Sequence, residues 1–304
     1  MSRWLVYSLL AVALWGAWGV LNTPAGKALQ PLPLQVFSTL GLLPVAALLL
    51  FSKNLKTGKS HARGFLYAFL TGLCGSGGNV AASFALTRGA EASIFWPLTS
   101  VYPLVTVILA RAILKERLNR IQVLGFALAL AALIVSGLVS AGDEKLSATS
   151  WTQKVFSPWM RYALVTLVLF GLAAVLQKLS TNNISNELSM VGFSLGFVVI
   201  GSVIVATSGG WTWSIPGESW GWALAYGALI GVGTLALFAA YRHGKAAVVT
   251  AVTALYPALT VVLAVPLLGD KLSLLKVVMI VLSLSAGVAL TFETPAAKQE
   301  PAGA

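Results

Sequence analysis

The stretch TSVYPLVT, Thr99 to Thr106, sets a proline in the middle of a run that otherwise reads as one apolar helix, and 154 residues later the chain writes TALYPALT, Thr253 to Thr260. Proline has no N–H, so it leaves the carbonyl four residues earlier without its helical partner. For Pro103 that carbonyl belongs to Thr99, and for Pro257 to Thr253. Thr99, Tyr102 and Thr106 are spaced i, i+3, i+7, which puts a freed carbonyl, a phenol and two hydroxyls on one helix face. Thr253, Tyr256 and Thr260 repeat the stripe. Such groups are costly in hydrocarbon, so the stripe is expected to face protein or a hydrated cavity.

Hydrocarbon is the solvent that the composition implies. Of 304 residues, 58% are apolar and 10% charged, and the mean hydropathy is +0.86. A soluble domain does not have this composition, whereas a chain of membrane spans does. The net charge of +11 would suggest nucleic acid as partner in a soluble chain. Here the basic residues fall in short clusters between apolar runs, where they act as topology signals facing anionic lipid. The lone Cys74 permits no intrachain disulfide and no cysteine-based metal site.

With about 20 residues as the length of a span, candidate helices lie near 4–23, 34–52, 64–87, 92–112 and 121–140, then near 159–180, 188–206, 219–241, 246–267 and 272–292. The first run follows Arg3 as a signal peptide would, but it is too long for one and is expected to stay as the first helix. The longest polar connection, 142–158, divides the groups, and the polar, Pro/Ala-rich tail 293–304 is expected to be disordered. The groups match when slid by 154 residues: Phe84 falls on Phe238, Arg88 on Arg242, and Tyr102-Pro103 on Tyr256-Pro257. At an offset of 155, Trp4 falls on Trp159, Tyr7 on Tyr162, Gly16 on Gly171 and Val20 on Val175. The chain is a five-helix unit written twice, with units 1–141 and 159–292.

Five is odd, so alternating helices bring the second unit into the membrane from the opposite side. The loop SKNLKTGKSHAR carries Lys53, Lys56, Lys59 and Arg63, whereas its counterpart at 207–217 has no basic residue and two tryptophans. Such a bias is that of an inverted repeat with a cytoplasmic N-terminus. The fold expected is therefore an all-α membrane protein, ten transmembrane helices as two inverted five-helix repeats, in the inner membrane with both termini cytoplasmic. Arg88 and Arg242 match in sequence despite opposite topology, which argues for a structural role at helix ends.

Two units ending in YPLVTVILARAILKERLNRIQVLGFALALAALIVSG and YPALTVVLAVPLLGDKLSLLKVVMIVLSLSAGVAL resemble the EamA-type members of the drug/metabolite transporter superfamily. The resemblance runs from residue 4 to 292 and rests on three features. These are the YP-bearing span, a short acidic-then-basic turn (Glu116-Arg117, Asp270-Lys271) and a closing span rich in small residues. It implies a central cavity lined chiefly by the first, third, fourth, sixth, eighth and ninth helices, and alternating access. Small multidrug exporters of the same broad superfamily rely on a buried glutamate in the first helix, and this first helix has none.

Substrate-binding candidates are the polar and aromatic residues at membrane depth. Trp15, Trp18 and Asn22 share a face at i, i+3, i+7 and either wall a pathway or pack against neighbouring helices. Asn79, beside Gly75, Gly77 and Gly78, either bonds another helix or contacts substrate. Gln177 either joins the site or reaches the interface, and Trp96, next to Pro97, is a cavity residue or an interfacial anchor. Thr99, Tyr102, Thr253 and Tyr256 complete the set, with Pro103 and Pro257 as hinges between two open states. The competing reading of the prolines is a local kink satisfied by nearby hydroxyls.

No carboxylate is expected at mid-membrane depth; Glu91, nearest to it, is expected to form a surface ion pair at a helix start. His61 and His243 lie in basic loops, so neither a metal cluster nor an acid/base pair is visible, and no nucleotide-binding loop is present. The expected function is secondary transport, in the direction of export, of a small neutral or zwitterionic, partly apolar metabolite such as an amino acid, with no cofactor, no metal and no nucleic acid. The partners expected are this solute and the lipid bilayer, and a monomer suffices. Two alternatives stand beside it: export of quaternary-ammonium or other cationic drug-like compounds held by cation–π contacts, and a channel.

Overall fold

A segment crossing lipid must satisfy every backbone N–H and C=O internally, which an apolar run does by coiling into a helix. A computed structural model describes residues 2–102, 104–105, 108–109, 119–141, 158–209, 217–243, 252–253 and 255–290. Their helices are α1 (Arg3–Leu29), α2 (Pro31–Leu49), α3 (His61–Thr87), α4 (Ala92–Thr99) and α5 (Arg120–Ala141), then α6 (Pro158–Thr181), α7 (Asn186–Thr207), α8 (Gly217–His243), α9 (Tyr256–Leu268) and α10 (Leu274–Leu290). Six of them, α1, α2, α3, α6, α7 and α8, are long and apolar enough to cross a membrane. The chain is an all-α, multi-pass membrane protein.

The two YP segments interrupt helices differently from a kink in mid-span. α4 ends at Thr99, and the carbonyl that Pro103 would free is taken by the N–H of Tyr102 at 3.0 Å. Leu104 N–H to Val101 and Val105 N–H to Tyr102 continue these three-residue steps, the tightened 3₁₀ pattern of a helix terminus. Pro103 and Thr106 lie outside the described residues. In the second copy α9 begins at Tyr256, with Pro257 in its first turn, where a missing N–H leaves nothing unsatisfied. Within the expected spans 92–112 and 246–267, α4 therefore ends at Thr99 and α9 opens at Tyr256, with helical residues across each break at 104–105, 108–109 and 252–253.

Packing follows a pseudo-two-fold. α1 runs antiparallel along α8, with Tyr7 beside His243 and Asn22 beside Tyr226. α6 runs antiparallel along α3 in the same way, with Tyr162 beside Phe84 and Thr166 beside Gly78. α2 and α7 meet each other, as do α5 and α10, so each self-paired contact lies on the axis. Two close crossings repeat with the sequence offset of 155. A Cβ on Gly227 of α8 would run into the Ser38 carbonyl of α2, and one on Gly41 would come within 2.5 Å of the Leu224 carbonyl. A Cβ on Gly72 of α3 would run into the Phe193 carbonyl of α7, and one on Gly196 would come within 2.5 Å of Leu73 N. Small residues let backbones approach where apolar burial gives no drive between helices in lipid.

Candidate substrate pathway

α1 supplies the centre. Its face Trp15, Trp18 and Asn22 meets α4, α8 and α9 in one aromatic cluster. Trp18 lies 4.4 Å from Trp96 and 5.7 Å from Tyr226, centroid to centroid. Trp15 meets Tyr256 edge-on at 5.7 Å, and Trp96 meets Tyr256 at 6.4 Å. The glycines that give α1 room also expose its carbonyls to other helices. Trp96 Nε1 donates to Gly19 O at 2.7 Å, and Thr260 Oγ1 donates to Gly16 O at 3.1 Å. Trp96 is completely buried, so the interfacial-anchor reading of it is excluded.

Above the rings, toward the face opposite the N-terminus, three polar side chains close on one another. Asn22 Nδ2 donates to Tyr226 Oη at 2.6 Å, and Ser83 Oγ donates to Asn22 Oδ1 at 3.0 Å. All three are buried, and the bonds join α1, α3 and α8. The Nε1 of Trp18 is buried and lies near Tyr226 Oη without a well-aligned hydrogen bond. Asn79 is buried on α3, and of its two readings, interhelical bond or substrate contact, the described residues show no interhelical bond.

Other candidates separate from this centre. Tyr102 packs with Val101, Leu104, Leu167, Ala129 and Ala286 in a distinct apolar cluster and meets Phe170 edge-on at 6.5 Å. Thr99 is buried and donates to Trp96 O at 3.1 Å, while Thr253 is buried just ahead of α9. Gln177 is half-buried near the C-terminus of α6, at the depth opposite to Asn22, the residue it matches at the offset of 155. Tyr226 and Ser83 were not among the sequence candidates. Their repeat counterparts are Thr71 and Leu237, so neither residue type recurs; a tyrosine beside a glycine inside a span is the one local hint.

Both faces carry ties between the repeats. Opposite the N-terminus, Lys276 Nζ donates to both oxygens of Glu91 at 2.7 and 2.8 Å. The ion pair expected for Glu91 therefore forms with α10. Asp270 Oδ2 accepts from Ser93 N at 2.9 Å and so caps α4 from the other repeat, favourably placed against its dipole. Arg88 lies over the rings of Phe84 and Tyr162, 5.0 and 4.7 Å from their centroids, and hydrogen-bonds Tyr162 Oη. On the N-terminal face the α2–α3 turn joins the α6–α7 turn through a bridge between Gly58 and Ile184. Beside it, the buried Glu187 accepts from Asn54 Nδ2 at 3.3 Å.

The sequence matches the EamA-like transporter family over residues 2–138 and again over 157–292. The chain belongs to that family. A curated relative, an "uncharacterized transporter in cobO 3'region" from Sinorhizobium sp, is 28% identical over 120 residues, which are 39% of this chain and 85% of the relative. One solved crystal structure is similar over 95% of both chains with a TM-score of 0.62 at 17% identity, a likeness of fold. The protein is accordingly a transporter of the drug/metabolite superfamily and not an enzyme.

Proposed function

We propose that this EamA-family transporter moves a small neutral or zwitterionic, partly apolar metabolite, such as an amino acid, by alternating access. The observation that carries the reading is the chemistry around α1. Trp15, Trp18, Trp96, Tyr226 and Tyr256 supply apolar surface; Asn22, Asn79 and Ser83 supply neutral hydrogen-bonding groups. No charged side chain joins that cluster among the described residues. A fixed charge at this depth would be costly without a partner, and a solute that is neutral overall requires none. Thr99, Thr253 and Gln177 extend the pathway toward the N-terminal face, and Tyr102 serves the second repeat.

The cation–π alternative needs open ring faces. Trp18 and Trp96 instead pack against each other, and Trp96 is tied to the Gly19 carbonyl.

The bonds Asn22–Tyr226, Ser83–Asn22, Glu91–Lys276 and Asp270–Ser93 all lie toward the face opposite the N-terminus. The N-terminal-face tie between Gly58 and Ile184 joins turns and not the helices around Trp18, so a resting state sealed on the opposite face loads from the N-terminal side. With Lys53, Lys56, Lys59 and Arg63 marking that side as cytoplasmic, loading from it is export across the inner membrane, with both termini cytoplasmic. Pro103 and Pro257 serve as hinges between the two open states. The test is flux in proteoliposomes containing the purified protein, with radiolabelled neutral amino acids, amides, nucleosides and tetraethylammonium. Saturable, mutually competitive uptake of an uncharged or zwitterionic solute is the expected result. Uptake of tetraethylammonium alone, or flux linear in concentration, would overturn it.

A further inference from the structure

Buried hydroxyls in this bundle usually turn back on their own helix. Ser8, Thr39, Thr71, Thr166 and Ser194 each donate to the carbonyl four residues earlier, the default for Ser and Thr inside helices. Two serines of α3 do not follow it. Ser83 reaches across to Asn22 of α1, and Ser76 Oγ, fully buried, has no partner.

Ser76, Asn79 and Ser83 are spaced i, i+3, i+7 on α3, as Trp15, Trp18 and Asn22 are on α1, each 61 residues earlier. α1 and α3 run parallel, since Asn22 bonds Ser83 and Gly26 abuts Thr87 at that same offset. The constant offset therefore puts Trp18 and Asn79 at one depth, and Trp15 and Ser76 at the next. The top rung is closed by a hydrogen bond. The two rungs below hold Ser76 Oγ, buried with no partner, Trp18 Nε1, buried without a well-aligned bond, and the buried Asn79 amide. A buried polar group left without a partner is costly, and a ladder that sets the orphaned Ser76 hydroxyl one turn from the buried Asn79 amide is poised for a ligand with hydrogen-bonding groups of its own.

We propose that Ser76, Asn79 and Ser83 form a polar strip of α3 for the transported solute. Ser76 and Asn79 bind its donor-and-acceptor head group, and Ser83, with Asn22 and Tyr226, is the seal above it on the face opposite the N-terminus. This rests on the transport reading of the α1 face but assigns the head group to α3. It also separates residues that bind from those that close.

The strip is tested by thiol accessibility in a Cys74→Ser background, with the full chain in oriented proteoliposomes and a membrane-impermeant methanethiosulfonate. Ser76→Cys and Asn79→Cys are expected to label from the N-terminal face and to label slowly from the other. Adding Ser83→Ala removes a seal bond and is expected to raise labelling from the opposite face by up to about tenfold, the worth of one hydrogen bond. Ser83→Thr keeps the hydroxyl and is expected to leave that rate unchanged, which separates loss of the seal from loss of the fold. A mixture of neutral amino acids, amides and nucleosides is expected to protect Ser76→Cys, and tetraethylammonium is not. Equal rates from both faces in every background, no labelling from either face, or protection by tetraethylammonium alone would overturn the proposal. Labelling reads access and not flux. An accessible, protectable strip in a protein without saturable uptake would sink the transport reading and leave the strip standing.

Discussion

Trp15 and Tyr256 meet edge to face, their centroids 5.7 Å apart and their planes at 76°, and Phe170 and Tyr102 repeat the contact at 6.5 Å and 90°. Each pair joins the first helix of one repeat to the YP segment of the other. The geometry is a favoured one for aromatic rings, worth about 0.5–1.5 kcal/mol beyond buried area. A double-mutant cycle with Trp15→Leu and Tyr256→Leu is expected to show a coupling of about that size in thermal unfolding. Additive single effects would mean that the rings touch without stabilising. Tyr256→Phe keeps the ring and is expected to leave stability unchanged.

Glu91→Gln is expected to leave transport largely intact. Its carboxylate pairs with Lys276 near the mouth of the bundle, and partly exposed ion pairs contribute about 0–1 kcal/mol. Flux driven by a pH gradient, measured for Glu91→Gln and Lys276→Met at normal expression, decides the matter. Complete loss in Glu91→Gln alone would make it the coupling carboxyl.

Two glycines of α8 should respond oppositely to the same change. Gly227→Ala drives a methyl into the Ser38 backbone of α2 and is expected to destabilise by about 1–3 kcal/mol. Gly221 has open space around it, so Gly221→Ala is expected to be neutral or stabilising by up to about 1 kcal/mol through helix propensity. Melting temperatures of both variants in one detergent test the contrast, and Gly72→Ala should behave as Gly227→Ala does.

Pro257→Ala is expected to fold with near-normal stability, because the first turn of α9 has no bond for the new N–H to restore. If Pro257 is a hinge, the variant will bind solute normally and exchange it slowly, since the change acts on the balance between states. Wild-type flux would reduce the proline to a helix start.

Cysteines at Lys56 and Ser208 are expected to react with an impermeant reagent from opposite sides of the membrane. Reaction of both from one side would contradict the inverted repeat, because those loops are counterparts in the two units.

The helices were legible in the sequence because lipid allows an apolar run little choice of structure, and observed bounds such as 61–87, 158–181 and 186–207 fall close to the expected ones. The repeat was legible because Tyr102-Pro103 and Tyr256-Pro257, with Gly16 and Gly171, recur at near-constant offset. What proline would do was not, since a missing N–H can kink a helix, end it or begin it. Which occurs depends on where neighbouring backbone groups find partners. The sequence also singled out the face of Trp15, Trp18 and Asn22 by spacing alone. Their partners Tyr226 and Ser83 lie 204 and 61 residues from Asn22, and nothing local in the chain marks those distances. Only the tertiary crossing of α1 with α3 and α8 decided them. A hydrogen bond between parallel or antiparallel helices depends on register and separation, which packing sets and periodicity does not.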